Sequence, residues 1–191
     1  MTLEPIIAFA HNLIKKHVST GDTVLDMTAG NGHDSVFLAQ LVGKKGRVFA
    51  FDIQESALHN TKDLIMKSGL DGENITFFHD CHSRFLEHLS TEEITEVKGI
   101  IFNLGYLPGG DKTICTHENS TILALVQLLE HLSAGALLVL VCYLGHPEGE
   151  RECGHVLDFV RSIAPERAKV VRYENINSKN PAPFVLAIEL K

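Results

Sequence analysis

Apolar positions along this 191-residue chain follow two alternating rhythms. Near the N-terminus Ile6, Phe9, Ala10, Leu13 and Ile14 recur at helical spacing, which predicts a helix over 3–17 with one buried stripe and Pro5 near its start. Beyond it, short continuous apolar runs alternate with longer amphipathic stretches. The runs predict strands at 23–27, 47–52, 74–79, 97–103, 135–142, 168–174 and 183–190, and the stretches between them predict helices at 33–42, 55–68, 83–89, 117–132 and 150–163. Unbroken apolar runs belong to strands buried on both faces, so the alternation predicts an α/β fold whose seven-stranded, mostly parallel sheet is covered by helices on both sides. The connection 175–181 is too short for a crossover helix, so the last two strands should pair antiparallel. No linker, repeat or biased tract divides the chain, and residues 1–191 are expected to form a single domain with an N-terminal helix.

Composition narrows the setting. At 45% hydrophobic residues a chain of this length buries roughly 70% of the surface its unfolded form exposes, so it needs no disulfide or metal staple. No apolar run approaches the roughly 20 residues of a membrane span, and Glu4 and Pro5 stand where a signal peptide would be basic and then apolar. The expected compartment is the cytoplasm, with no membrane partner. Cys81, Cys115, Cys142 and Cys153 lie on separate predicted elements without paired Cys-x-x-Cys spacing, so reduced thiols are expected and no metal site is assigned. A net charge of -7 argues against a surface that binds nucleic acid indiscriminately, while leaving room for a local basic rim.

The most informative segment runs Val24-Leu25-Asp26-Met27-Thr28-Ala29-Gly30-Asn31-Gly32-His33-Asp34-Ser35, a buried strand, a glycine turn and a helix start; the next strand ends on Asp52. Together these predict a nucleoside-binding βαβ unit in which Asp52 accepts from ribose hydroxyls and Gln54 adds a ribose or adenine contact. Asp26 selects the ligand class. A carboxylate at that position repels a pyrophosphate but attracts an ammonium, so the unit fits S-adenosyl-L-methionine better than NAD; Ser35, standing where a dinucleotide fingerprint has its third Gly or Ala, agrees. Asp26 is expected to draw the amino end of the ligand, and loop N–H groups near Gly30 and Gly32 to hold its carboxylate, with Thr28, Asn31, His33 and Asp34 completing the loop.

Ligands of a doubly wound sheet bind beyond the carboxyl ends of its strands, which selects the loops 28–34, 52–55, 80–83, 103–115, 143–149 and 175–181. In the third of these, Asp80 and His82 either contact adenine or, for Asp80, cap the helix that begins near Ser83. The fourth carries Asn103-Leu104-Gly105-Tyr106 and then a Pro-Gly-Gly turn. Asn103 and Tyr106 resemble the Asn-Pro-Pro-Tyr motif of amino-group methyltransferases, with Leu104 and Gly105 in place of both prolines. That resemblance implies that the Asn103 amide oxygen orients an amine toward the methyl group while the Tyr106 ring packs on the substrate base. The amine must shed a proton, for which Asp26, Asp111, His117 or water are the candidates.

The stretches Asp-Met-Thr-Ala-Gly-Asn-Gly-His-Asp, Phe-Asn-Leu-Gly-Tyr-Leu-Pro-Gly-Gly-Asp-Lys and Tyr-Leu-Gly-His-Pro-Glu-Gly, with Asn-Pro-Ala-Pro near the C-terminus, widen the likeness to essentially the whole chain. They resemble the small bacterial family formerly labelled rRNA methylases, which includes the tRNA 5-(aminomethyl)-2-thiouridine methyltransferase. The resemblance implies the class I methyltransferase fold with strand order 3-2-1-4-5-7-6. It also implies methyl transfer to the aminomethyl nitrogen of the wobble uridine, forming 5-methylaminomethyl-2-thiouridine. Under it Lys112, His146, Arg151, Lys179 and Asn180, with Tyr106, become candidates for contacting the tRNA anticodon loop, and a homodimer completing the RNA platform is carried as an option. Three other readings remain open: methylation of rRNA or a small amine, a noncatalytic module binding an adenosyl ligand, and an NAD enzyme, the last with least support.

Overall fold

A computed structural model describes residues 3–191; Met1 and Thr2, part of the expected 1–191 domain, lie outside the described residues. The elements follow in the order α1 (Ile6–His17), β1 (Thr23–Asp26), α2 (His33–Val42), β2 (Arg47–Asp52), α3 (Glu55–Lys67), β3 (Ile75–His79), a 3-10 turn (His82–Glu87), α4 (Thr91–Thr95), β4 (Val97–Leu104), α5 (Glu118–His131), β5 (Leu137–Cys142), α6 (Pro147–Ser162), β6 (Ala168–Glu174) and β7 (Phe184–Leu190). The sheet order is β3-β2-β1-β4-β5-β7-β6. β1 to β5 are mutually parallel, and β7 runs antiparallel to both β5 and β6.

Alternate residues of each central strand feed opposite cores. In β5, Leu138, Leu140 and Cys142 join one cluster beneath α5, α6 and the 3-10 turn, while Leu137, Val139 and Val141 join another beneath α1, α2 and α3. Both faces being covered explains why these strands read as unbroken apolar runs. Ile6, Ala10 and Ile14 of α1 bury the predicted stripe in the second cluster.

Two helix starts and one added helix differ from expectation for physical reasons. The first helix starts at Ile6 because Pro5, with ψ of 151°, holds an extended conformation. The last helix starts at Pro147, not at 150, since proline at the first helical position has no N–H to leave unpaired. α4 was not expected at all, although its start is marked: Ser90 accepts from the Glu93 N–H at 3.2 Å while the Glu93 side chain accepts from the Ser90 N–H at 2.9 Å.

Chain order reverses direction beside β1, whose neighbours are β2 on one side and β4 on the other. Loops leaving adjacent strands toward opposite faces open a crevice there, beyond Asp26 and Leu104.

Candidate active site

A cavity of about 1040 Å³ occupies that crevice. Five of the six rim loops selected from the sequence contribute to its wall; the loop 175–181 does not. Among the described residues that line it there is no lysine or arginine, whereas Asp34, Asp52, Asp80, His33, His82, His117 and His146 all do so.

The glycine turn is arranged differently from the sequence expectation. Asp26 is fully buried and lies behind the cavity wall, its carboxylate accepting from the Ser35 hydroxyl at 2.5 Å and the Thr28 N–H at 3.2 Å. Burial, aided by the nearby Asp34 charge, pushes its pKa up to about 7. The carboxylate that reaches the cavity is instead Asp34, in the first turn of α2. The expected contact of Asp26 with a ligand is thereby corrected: the strand end turns this side chain inward, where it ties β1 to α2. Gly30 lines the cavity, although its own N–H is engaged by Asp52 at 2.9 Å, and the Gly32 N–H is engaged by the Ala29 carbonyl at 2.8 Å. Gly32 lies outside the lining and serves packing: at φ of 86° a Cβ there would stand 2.7 Å from the Thr61 Cα. Thr28 and Asn31 do line the cavity and brace it, Thr28 accepting the Asn103 N–H at 2.7 Å and the Asn31 amide donating to the Pro108 carbonyl at 3.1 Å.

At the end of β2, Asp52 accepts from the N–H groups of Gly30 and Gln54, each at 2.9 Å, and half-burial raises its pKa. One acceptor site per oxygen is thus used and the others remain to serve a ribose. Gln54 and the exposed Ile53 flank it in the wall. Asp80 also lines the cavity, but it caps no helix: one oxygen accepts its neighbour Cys81 N–H at 2.7 Å and the other lies 2.7 Å from His88 Nε2, a bond that lowers the Asp80 pKa. His82 is only 5% exposed, and burial depresses its pKa to about 4, so it is a neutral ring set edge-on to Phe102 at 5.6 Å.

The loop after β4 is a pinned lip. Tyr106 bridges antiparallel to Cys115, while Gly105 makes two bonds with Thr116: its N–H donates to the side-chain Oγ1 and its carbonyl accepts the Thr116 N–H, both at 2.8 Å. With φ of 148°, position 105 takes a backbone that favours glycine, and these bonds supply the rigidity that two prolines would otherwise give. The Thr116 hydroxyl continues to the buried Glu152 at 2.6 Å. Asn103 stands at the floor of this lip, its Nδ2 donating to Asp34 and its Oδ1 3.4 Å from the Tyr143 hydroxyl. Tyr106 faces the cavity with its ring 5.2 Å from that of His146, whose Nε2 is buried and has no hydrogen-bond partner among the described residues.

Of the proposed substrate residues, Tyr106 and His146 line the cavity and four do not. Lys112 rides outside, its Nζ 5.4 Å from the centre of the Tyr106 ring; Arg151 is exposed beside Glu118 at 3.7 Å. Lys179 and Asn180 border a separate hollow of about 330 Å³ with Leu144 and Ile176. Asp111, offered as a proton acceptor, lies outside the lining, and His117 lies within it. Sequence reasoning passed over Tyr143 and His11. Tyr143 was reachable, as the first residue after an apolar strand on a selected loop. His11 carried no signal, because only tertiary packing brings the middle of α1 to Asp34, 2.6 Å away.

Comparison with known proteins fits this geometry. The family model described as "Putative rRNA methylase" matches residues 48–189, and a model of protein-L-isoaspartate(D-aspartate) O-methyltransferase matches 4–85. A chloroplastic tRNA (mnm(5)s(2)U34)-methyltransferase of Arabidopsis thaliana is 38% identical over 75% of this chain, which spans 54% of that relative's length. A crystal structure of a Clostridium thermocellum protein described as "putative rRNA-methylase" superposes with a TM-score of 0.94 at 38% identity, covering all of both chains. A Streptococcus mutans protein described as a methyltransferase, solved in complex with SAH, superposes at 0.88 with 29% identity, again covering both chains fully.

Proposed function

Because this chain belongs to the rRNA methylase family of class I, S-adenosyl-L-methionine-dependent methyltransferases, we propose that it methylates the aminomethyl nitrogen of 5-aminomethyl-2-thiouridine at the tRNA wobble position, forming 5-methylaminomethyl-2-thiouridine. The observation that carries this reading is the pairing of an amide, Asn103, with a cavity lined by aspartates and histidines and, among the described residues, by no lysine or arginine. Such a lining favours a cationic or neutral acceptor and leaves phosphate groups outside, as an extruded base on an anticodon loop requires.

The residues fit the methyl donor. At about 1040 Å³ the cavity exceeds what one drug-sized ligand needs, leaving space for an acceptor base beside it. Asp52 supplies free acceptor sites for ribose hydroxyls, Gln54 and Ile53 give a polar and an apolar wall, and the acidic lining suits an ammonium and disfavours a diphosphate. When bound, S-adenosyl-L-methionine supplies a methyl group on a positively charged sulfur that leaves neutral, so the protein need not protonate a leaving group.

The protein's work is then alignment and proton removal. Asn103 Oδ1 accepts an amine N–H and aims the nitrogen, and Tyr106 packs on the base; fixing an attack distance near 3 to 3.5 Å accounts for much of the rate enhancement such sites achieve. His117 and His146 are imidazoles in the cavity wall, placed to take the amine proton. Lys112, Arg151 and Lys179, outside the cavity, are the cations available to anticodon-loop phosphates. The reaction is assigned to the cytoplasm, in keeping with four free thiols.

Nucleoside analysis tests the acceptor. Bulk tRNA from cells lacking the gene, incubated with the purified protein and labelled donor, should lose 5-aminomethyl-2-thiouridine and gain its methylated product. Label entering rRNA instead, with the wobble nucleoside unchanged, overturns the tRNA reading.

A further inference from the structure

Asp34 was grouped with the cofactor-binding loop on sequence grounds, but its bonds point elsewhere. Its side chain is 8% exposed and is shared between two partners from distant segments, His11 of α1 at 2.6 Å on one oxygen and Asn103 Nδ2 on the other. His11 is itself fixed, stacking on Phe37 with ring centres 4.0 Å apart and planes 3° from parallel. A carboxylate can only accept, so it dictates which end of the Asn103 amide faces it. The amino end must turn to Asp34, and the oxygen is left on the opposite side, toward Tyr143 at 3.4 Å. The Asn103 backbone is held independently, its N–H donating to Thr28 at 2.7 Å.

We infer that Asp34, held by His11, is a positioning residue that locks the Asn103 amide with its oxygen toward the acceptor nitrogen. The inference rests on the reading of Asn103 as the amine-orienting group. Without the carboxylate the two ends of the amide are nearly isosteric and either can face the cavity. Turned the wrong way, Asn103 presents two N–H donors to an amine whose lone pair must stay free for the methyl group, and competes for that lone pair. Asp34 therefore contributes to the rate of transfer more than to the holding of either substrate. His11 acts one bond further out, and its loss should matter less than that of Asp34.

The experiment combines kinetics, SAH calorimetry and NMR of the Asn103 side-chain amide in Asp34→Ala, Asp34→Asn and His11→Phe, the last keeping a ring on Phe37. Expected are a fall in kcat of about 100-fold for Asp34→Ala and about 10-fold for His11→Phe, with SAH affinity and tRNA KM changed less than about threefold. Asp34→Asn, whose amide oxygen can still accept from Asn103, should recover part of the lost kcat. In the wild type one Asn103 Nδ2 proton should be displaced downfield and protected from exchange, and in Asp34→Ala the pair should converge. An SAH affinity that falls in parallel with kcat, or Asn103 signals unaltered by Asp34→Ala, overturns the inference and returns Asp34 to the cofactor. Should the wild type fail to methylate the wobble nucleoside, the proposed function falls while the NMR measurement still decides the amide lock. If Asp34→Ala does not fold, Asp34→Asn and His11→Phe carry the same readouts.

Discussion

Three carboxylates near the glycine turn look interchangeable in sequence, yet burial gives them different chemistry. Asp26 is sealed in the protein and protonates near neutrality, Asp52 is half-open with acceptor sites to spare, and Asp34 is committed to His11 and Asn103. Asp26 leaves a measurable trace in stability. Its folded pKa is raised from 3.8 to about 7, so the native state retains a proton that the unfolded chain releases above pH 4. Native binding of more protons means that stability falls as pH rises through that interval and levels off above about 7. At roughly 1.4 kcal/mol per pKa unit the ceiling of the effect is a few kcal/mol. Asp26→Asn removes this dependence while keeping the shape. Its Tm should therefore gain on the wild type as pH is raised from about 5 to 8, followed by calorimetry at matched ionic strength. A difference that does not vary with pH would mean that Asp26 is ionised in the folded protein. Asp52 and Glu152, also raised by burial, contribute to the slope of both proteins and cancel in the comparison.

Among the elements, the close approach of α2 and α3 shows how a residue chosen for its motif serves a different end. The Gly-x-Gly spacing suggested two glycines under a ligand, but Gly32 faces Thr61, whose hydroxyl in turn donates to the Gly30 and Ala57 carbonyls at 3.2 and 2.9 Å. Gly32→Ala adds a methyl group 2.7 Å from backbone at a left-handed position, two penalties that together cost about 2–4 kcal/mol. A drop in urea midpoint of that size, with an unchanged slope, is the expected result, and a neutral substitution would show that α3 can slide. The element reading otherwise succeeded wherever an apolar run was long. It failed at α4, which has five residues and one buried apolar side chain, Ile94, too little periodicity to register even though Ser90 and Glu93 spell a capping box. At the lip the sequence offered Tyr106 beside a Pro-Gly-Gly turn, but the pairing of Gly105 and Tyr106 with Thr116 and Cys115 spans ten intervening positions of irregular chain and had no periodic mark.

At the scale of the whole molecule the acidic cavity in a chain of net charge -7 sets ligand preference. SAH should raise Tm, reaching a stabilisation of about 2.7 kcal/mol at 100 times its dissociation constant, whereas NAD at the same concentration should leave Tm in place, since its diphosphate meets an acidic lining that, among the described residues, has no lysine or arginine to offset it. A shift with NAD that equals the shift with SAH would contradict the charge argument. The sequence by itself determined the alternation of strands and helices, the antiparallel ending, the family likeness, and the loops on which site residues sit. Those features are local: hydrophobic periodicity, loop length and turn residues report the conformation of neighbouring positions. Only the tertiary structure decided that Asp34 rather than Asp26 meets the cavity, that Lys179 and Asn180 border a separate hollow, and that His11 from the first helix anchors a carboxylate 23 residues away. Such facts depend on how far each strand end is buried and which helix is laid over it, and packing between distant segments writes no repeating pattern into the chain that bears it.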